Sequence, residues 1–172
     1  MNEPQDGHDG PYAAPVALAS RQVAKDWIDY NGHMNTAYYT FAFDNAIDQV
    51  LEGEIGIGPG YAGRLRMGPY TLQNHIHYLG ELLEGQSFHI VVRLVDQDAK
   101  RVHVFMEMIN DSDGSIAATA EQLLINVDLN KRRAAPYPDW AQRRLERMLS
   151  DHADLPRPAQ LAAPLGIRRK LA

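Results

Sequence analysis

Residues 26–43 read DWIDYNGHMNTAYYTFAF, and this stretch organises the whole chain. Asp29 precedes an Asn31-Gly32 pair, a strong local turn signal. His33 and Asn35 follow, and Asn35 stands where a helix N-cap belongs, directly before Thr36. From Thr36 the run TAYYTFAFDNAIDQVLEG predicts about five turns of helix. Tyr38, Phe41, Ala42 and Asn45 fall on one stripe, and Tyr39, Phe43, Ala46 and Val50 on another. Apolar residues therefore occupy more than half the circumference, which describes a helix wrapped by other structure and not one lying on a surface. Gly53 is the expected C-terminal stop. A curved sheet is the natural wrapper.

The flanking sequence supplies strands. Residues 15–25, PVALASRQVAK, are expected to form a first strand. Residues 55–68, IGIGPGYAGRLRMG, carry five glycines and a proline and read as a loop. Four strand-like segments follow: PYTLQNHIHYLGE, QSFHIVVRLVDQD, KRVHVFMEMINDS and SIAATAEQLLINVDLN. The separators GELLEG, DQDAKR and NDSDGS are short, so consecutive strands are expected to pair antiparallel. After Asp128 come a basic cluster, a proline break and one helix expected from about Asp139 to His152. The predicted fold class is α+β, with about five antiparallel strands around one long central helix. Residues 1–14 are expected to be a flexible arm with little to bury, residues 15–130 the domain, and residues 131–172 a helical extension and tail.

A chain of 172 residues suits one core of this kind. Its net charge of -5 argues against a general nucleic-acid binder. The absence of cysteine removes disulfides, thiolate metal sites and a Cys nucleophile. No apolar run reaches membrane-spanning length and the N-terminus has no leader-like pattern, so a cytoplasmic protein is expected. Chemistry must come from Asp, Glu, His, Ser or Asn.

A sheet curled around a helix entered through Asp-x-x-Gly resembles the hotdog fold. The segment DYNGHMNTAYYTFAFD is similar to the motif of the 4-hydroxybenzoyl-CoA thioesterase branch. HIHYLGELLEGQ, DQDAKRVHV and the tail RRAAPYPDW...HADLPRP resemble the betainyl-CoA thioesterases of carnitine catabolism. This resemblance spans roughly residues 15–165. It implies hydrolysis of an acyl-CoA thioester with Asp29 as nucleophile or general base and the Thr36 N–H as oxyanion donor. Physics agrees, because the first amides of a helix are unpaired and carry partial positive charge. The glycine turn would let Asp29 and those amides face one carbonyl.

The remaining candidates follow from these expectations. Asn35 is an N-cap or a polar contact to substrate, and His33 and Gly32 shape the turn beside it. Trp27, Tyr38, Tyr39, Tyr70 and Tyr78 are aromatic candidates for holding an acyl group with a trimethylammonium head. Arg64, Arg66 and Arg101, with Lys100, Arg132 and Arg133, are candidate cations for the phosphates of coenzyme A. His75 and His77 alternate to one strand face without a third ligand at a telling distance, and no metal is expected; His89 and His103 read as ordinary strand residues. No cofactor is expected, since coenzyme A is part of the substrate. The expected partners are that thioester and a second copy of the chain, as a dimer or a dimer of dimers, with no nucleic acid and no membrane. Two other functions fit the pattern. DYNGHM is close to the Asp-x-Asn-Pro-x-His of hotdog hydratases, although the proline is missing and the His is one residue too near. A non-catalytic acyl-CoA binding module, with Asp29 only as a cap, is the other.

Overall fold

A computed structural model describes residues 6–167. The central helix α1 spans Thr36–Val50 and continues through a π-helical turn at Leu51–Ile55. Its stop is Gly56, not Gly53: Gly56 adopts φ 86°, and its N–H returns to the Leu51 carbonyl. A Cβ there would meet the Asp6 backbone. Among the described residues seven strands form one antiparallel sheet. β1 (Val16–Ala17) and β2 (Arg21–Gln22) both pair with β4 (Ser87–Gln97). The expected first strand is thus broken into two short pieces. β5 (Arg101–Asn110) and β6 (Ile116–Asp128) follow across the sheet, then β3 (Met67–Tyr78), and β7 (Arg133–Ala134) pairs with the end of β6. This is the hotdog architecture: an α+β fold whose antiparallel sheet surrounds a long central helix.

Two expectations are corrected here. β3 and β4 do not pair, although only eight residues separate them; β3 lies beside β6 at the far edge. At roughly 3.3 Å per residue, eight residues can cross the intervening strands, spaced about 4.8 Å apart. The link is held on its way, with the Leu79 and Gly80 N–H groups sharing the Ala117 carbonyl at 2.9 Å and Leu82 fully buried. The glycine-rich stretch also contains a short helix, α2 (Pro59–Leu65), with Pro59 at its start. Its Tyr61 is completely buried and donates to the Asn126 side chain at 3.2 Å.

Tyr39, Ala42, Phe43, Ala46, Ile47 and Val50 of α1 pack into the core against Ile90, Val92, Leu94, Val104, Met106 and Met108 of the sheet. Within one chain the wrapping is incomplete. Phe41 remains 48% exposed, and Thr36, Ala37, Thr40 and Asp44 face outward, so the expectation of a helix covered all round is corrected.

The chain ends are fastened together. Tyr12 is buried, against the expectation that the arm has little to bury; residues 1–5 lie outside the described residues. Helix α3 (Asp139–Asp151) supplies the clamp. Its Arg144 is buried and donates to the Asp9 carboxylate and to the Asp6 and Ile55 carbonyls, each at 2.8 Å. Just beyond α3, His152 accepts from the Leu94 N–H at 2.9 Å through Nδ1 and reaches the Ala13 carbonyl at 2.8 Å through Nε2. One ring therefore ties the arm, β4 and α3 together as a neutral tautomer. Among the described residues no helix is long and apolar enough to cross a membrane.

Burial, reinforced by the Arg93 charge, holds His152 below its ordinary pKa, despite the opposing pull of the Ala13 carbonyl and Asp151. A depressed pKa makes the neutral form the stabilising one. Its contribution is present above the unfolded value of about 6.5 and is lost as pH falls through the folded value. Thermal unfolding should show a lower Tm at pH 5.5 than at pH 7.5. His152→Ala should cost about 2 kcal/mol at pH 7.5, from two lost hydrogen bonds and a stranded Leu94 N–H, and flatten that dependence. A pH profile unchanged by the substitution contradicts this account.

Candidate active site

Residues 28–34 fold into a miniature hairpin in front of α1. Ile28 bridges Met34, the Asp29 N–H donates to the His33 carbonyl at 3.1 Å, and the Gly32 N–H returns to the Asp29 carbonyl at 3.0 Å. Gly32 takes φ 84°, a conformation that costs other residues about 1 kcal/mol or more. Asp29 is tethered by its own turn: Oδ1 accepts from the Asn31 N–H at 2.8 Å, and Oδ2 faces the Asn35 Nδ2 at 3.5 Å. The hairpin is docked by the Met34 N–H on the Leu82 carbonyl at 2.8 Å, and both residues are fully buried.

Asn35 caps the helix. Its Oδ1 accepts from the Ala37 N–H at 2.9 Å, its carbonyl accepts from the Tyr38 N–H, and its own N–H donates to the Trp27 carbonyl. Such a cap stabilises by about 1 kcal/mol. It also leaves one amide over. The Thr36 N–H donates to no group among the described residues, so the positive end of α1 presents an uncommitted donor directly after Asn35, whose Nδ2 faces the Asp29 carboxylate; Asp29 itself is not among the residues that line the adjoining cavity.

A cavity of about 240 Å³ opens next to it, lined by His33, Met34, Thr36, Tyr39, Tyr78, Gly80 and Glu81. The Tyr39 and Tyr78 rings meet edge to face, 5.3 Å apart at 86°. The Tyr39 hydroxyl points at the Gly80 carbonyl at 3.5 Å, and burial raises its pKa, with Tyr78 and Glu81 adding to the effect. His33 approaches the Met34 carbonyl at 3.3 Å through Nδ1, so it both stiffens the turn and walls the cavity.

Other sequence candidates fall elsewhere. Trp27 and Tyr38 stack on each other at 5.2 Å, with Phe41 edge-on to Trp27 and the Arg21 guanidinium 5.6 Å from the Trp27 ring centre. None of these residues lines the cavity. Tyr70 pairs with Ile125, eight residues and about 26 Å along β3 from Tyr78. Arg66 directly precedes that end of β3, and Arg101 lies opposite the same Ile125. Within one chain these residues and the cavity do not come together. Arg64 is engaged by Asp6 at 2.8 Å, and Arg101 grips Asp98 through two nitrogens, which pulls that carboxylate down to about 2. His75 and His77 lie 4.5 Å apart on the strand face opposite Ile76, which packs on the core. His89 and His103 are partnered by Asp111 and Glu121. Among the described residues no group of three or more His, Cys, Asp or Glu could hold a metal ion. Glu81 escaped notice because GELLEG reads as a turn, and nothing local marks it as facing a cavity.

Residues 23–145 match the model of the thioesterase-like superfamily. The chain belongs to that superfamily. It is 30% identical over 145 residues to the betainyl-CoA thioesterase of Pseudomonas aeruginosa, covering 84% of this chain and 91% of that protein. It is 32% identical over 159 residues to the L-carnitine dehydrogenase/betainyl-CoA thioesterase of Rhizobium meliloti, and there it spans only 31% of the relative's length. A hypothetical protein from Staphylococcus aureus in complex with CoA superposes with a TM-score of 0.83 at 24% identity, over 92% of this chain and 100% of that one. That likeness concerns the fold. Family and fold together are consistent with thioester hydrolysis in general.

Proposed function

We propose that the chain hydrolyses an acyl-CoA thioester to the free acid and CoA. The observation that carries this reading is the uncommitted Thr36 N–H that follows Asn35, the residue whose side chain faces the tethered Asp29 carboxylate. With the thioester carbonyl oxygen on Thr36 N–H, attack by Asp29, or by a water it deprotonates, places the developing negative charge on that amide. Collapse of the intermediate breaks the C–S bond and expels CoA as its thiolate; where Asp29 itself attacks, a water then cleaves the resulting acyl anhydride, releasing the free acid and regenerating the carboxylate. Asn35 holds both parts: it caps α1 and its Nδ2 faces Asp29. The acyl group extends into the cavity of Tyr39 and Tyr78. The similarity to betainyl-CoA thioesterases supports betainyl-CoA as the substrate. The chemistry resides in residues 15–130, followed by an extension that carries helix α3.

Assembly follows from the exposed edge. Among the described residues β3 pairs in the sheet with β6 alone, and its Tyr70, Leu72 and Tyr78 are each about half exposed. A strand at the edge of a sheet invites pairing with another strand. In the proposed dimer, a two-fold axis sets two β3 strands antiparallel. The Met67 end of one then lies near the Tyr78 end of the other. Arg66 and Tyr70, remote from the cavity within one chain, would approach the partner's cavity, where a CoA phosphate needs a cation.

Two measurements check these readings. Asp29→Asn should fold and bind CoA much as the unaltered protein does, while thiol release falls by about 10²-fold or more. Turnover close to that of the unaltered protein would remove Asp29 from the mechanism. Thiol release also separates hydrolysis from hydration or plain binding, neither of which frees CoA. Sedimentation at micromolar concentration should show a dimer or larger, and a monomer contradicts the pairing of β3.

A further inference from the structure

The cavity beside Thr36 carries an uncommitted charge. Of its lining residues only Glu81 has a carboxylate. The Glu81 backbone is clamped on both sides, by Gly80 N–H on the Ala117 carbonyl at 2.9 Å and by the buried Leu82, whose carbonyl receives the Met34 N–H. Among the described residues its carboxylate has neither an ion-pair partner nor a hydrogen-bond donor. Elsewhere in the fold carboxylates near cations are engaged, as Asp6, Asp9, Asp98 and Asp151 are with arginines.

The two aromatic clusters on α1 differ in the same respect. The cluster of Trp27, Tyr38 and Phe41 already holds a cation, since the Arg21 guanidinium lies 5.6 Å from the Trp27 ring centre and 5.9 Å from that of Phe41. A second positive charge there would be repelled. The edge-to-face pair of Tyr39 and Tyr78 borders open volume instead. That volume, about 240 Å³, has room for a short compact acyl head.

A cation in this cavity would sit close to the positive end of α1 at Thr36, which opposes it. Two ring faces give only a modest attraction, and an unpaired carboxylate is what reverses the sign. A quaternary ammonium has no N–H to donate, so ring faces and net charge are all a protein can offer it. We propose that Glu81, working with the rings of Tyr39 and Tyr78, selects an acyl group with a permanently cationic head over a neutral group of the same shape. This specificity assignment rests on the thioesterase reading above and names the residue that sets its substrate class.

The test compares betainyl-CoA with 3,3-dimethylbutyryl-CoA, which replaces the quaternary nitrogen by carbon. Thiol release gives kcat/KM for each thioester in the unaltered protein and in Glu81→Gln, Glu81→Asp and Tyr78→Leu. The expected ratio of cationic to neutral substrate is about tenfold or more in the unaltered protein, as for a partly solvated charge pair. It should approach one in Glu81→Gln, fall partway in Tyr78→Leu, and be better kept in Glu81→Asp than in Glu81→Gln. A ratio near one in the unaltered protein overturns the proposal, and so does a ratio that Glu81→Gln leaves unchanged, whether both rates hold or both fall. If the unaltered protein frees thiol from neither compound, hydrolysis is what fails; the same ratio, read then from calorimetric Kd values for the two thioesters, still decides the role of Glu81.

Discussion

One capping residue sets the geometry on which the site depends. Asn35 donates its N–H to Trp27, caps Ala37 with its side chain, accepts from Tyr38 with its carbonyl and turns its Nδ2 toward Asp29. These contacts satisfy two of the first three amides of α1 and leave the Thr36 N–H as the one that can serve a ligand. A helix start that is capped on every amide has nothing to offer an oxyanion, and one with no cap frays. The hairpin in front of α1 resolves the conflict by placing the carboxylate and the remaining donor on one short, hydrogen-bonded segment.

That segment is rigid because of what lies behind it. Met34 and Leu82 are both fully buried and joined backbone to backbone, so the hairpin is pinned to the β3–β4 link, which also carries Gly80 and Glu81. The inner stripe of α1 is packed on β4 and β5, which keeps its axis in place. At the other end Arg144 joins the N-terminal arm to the π-helical turn after α1, and His152 joins that arm to β4. Helix α3 thus braces the C-terminal end of α1, remote from the chemistry.

Legibility in the sequence followed the range of the interactions involved. Asp29, Gly32, Asn35 and Thr36 act within eight residues of one another, and their turn and cap could be read from residue type and order. The β4–β5–β6 meander was equally readable, because DQDAKR and NDSDGS close tight turns between strands of clear pattern. GELLEG looked like a third such turn, yet its path is set by Ala117 and Met34, partners distant in sequence. Helix α2 was hidden because five glycines outweigh a local helix signal, while the burial of Tyr61 against Asn126 decides the matter from 65 residues away. Among the aromatics, Tyr39 and Tyr78 meet only because β3 crosses to the far edge of the sheet. The same topology sends Tyr70 to the other end of the strand, and the Arg21 contact with the Trp27 and Phe41 rings has no sequence signature.

The central claim is that the first free amide of α1 receives the thioester carbonyl. The most direct measurement is a crystal structure of Asp29→Asn with an intact acyl-CoA thioester bound. The account predicts the carbonyl oxygen within about 3 Å of the Thr36 nitrogen, with the acyl head between Tyr39 and Tyr78. A thioester bound with its carbonyl away from Thr36, for example in the hollow formed by Asp96, Asp98, Arg101 and His103 at the opposite end of the sheet, would contradict it.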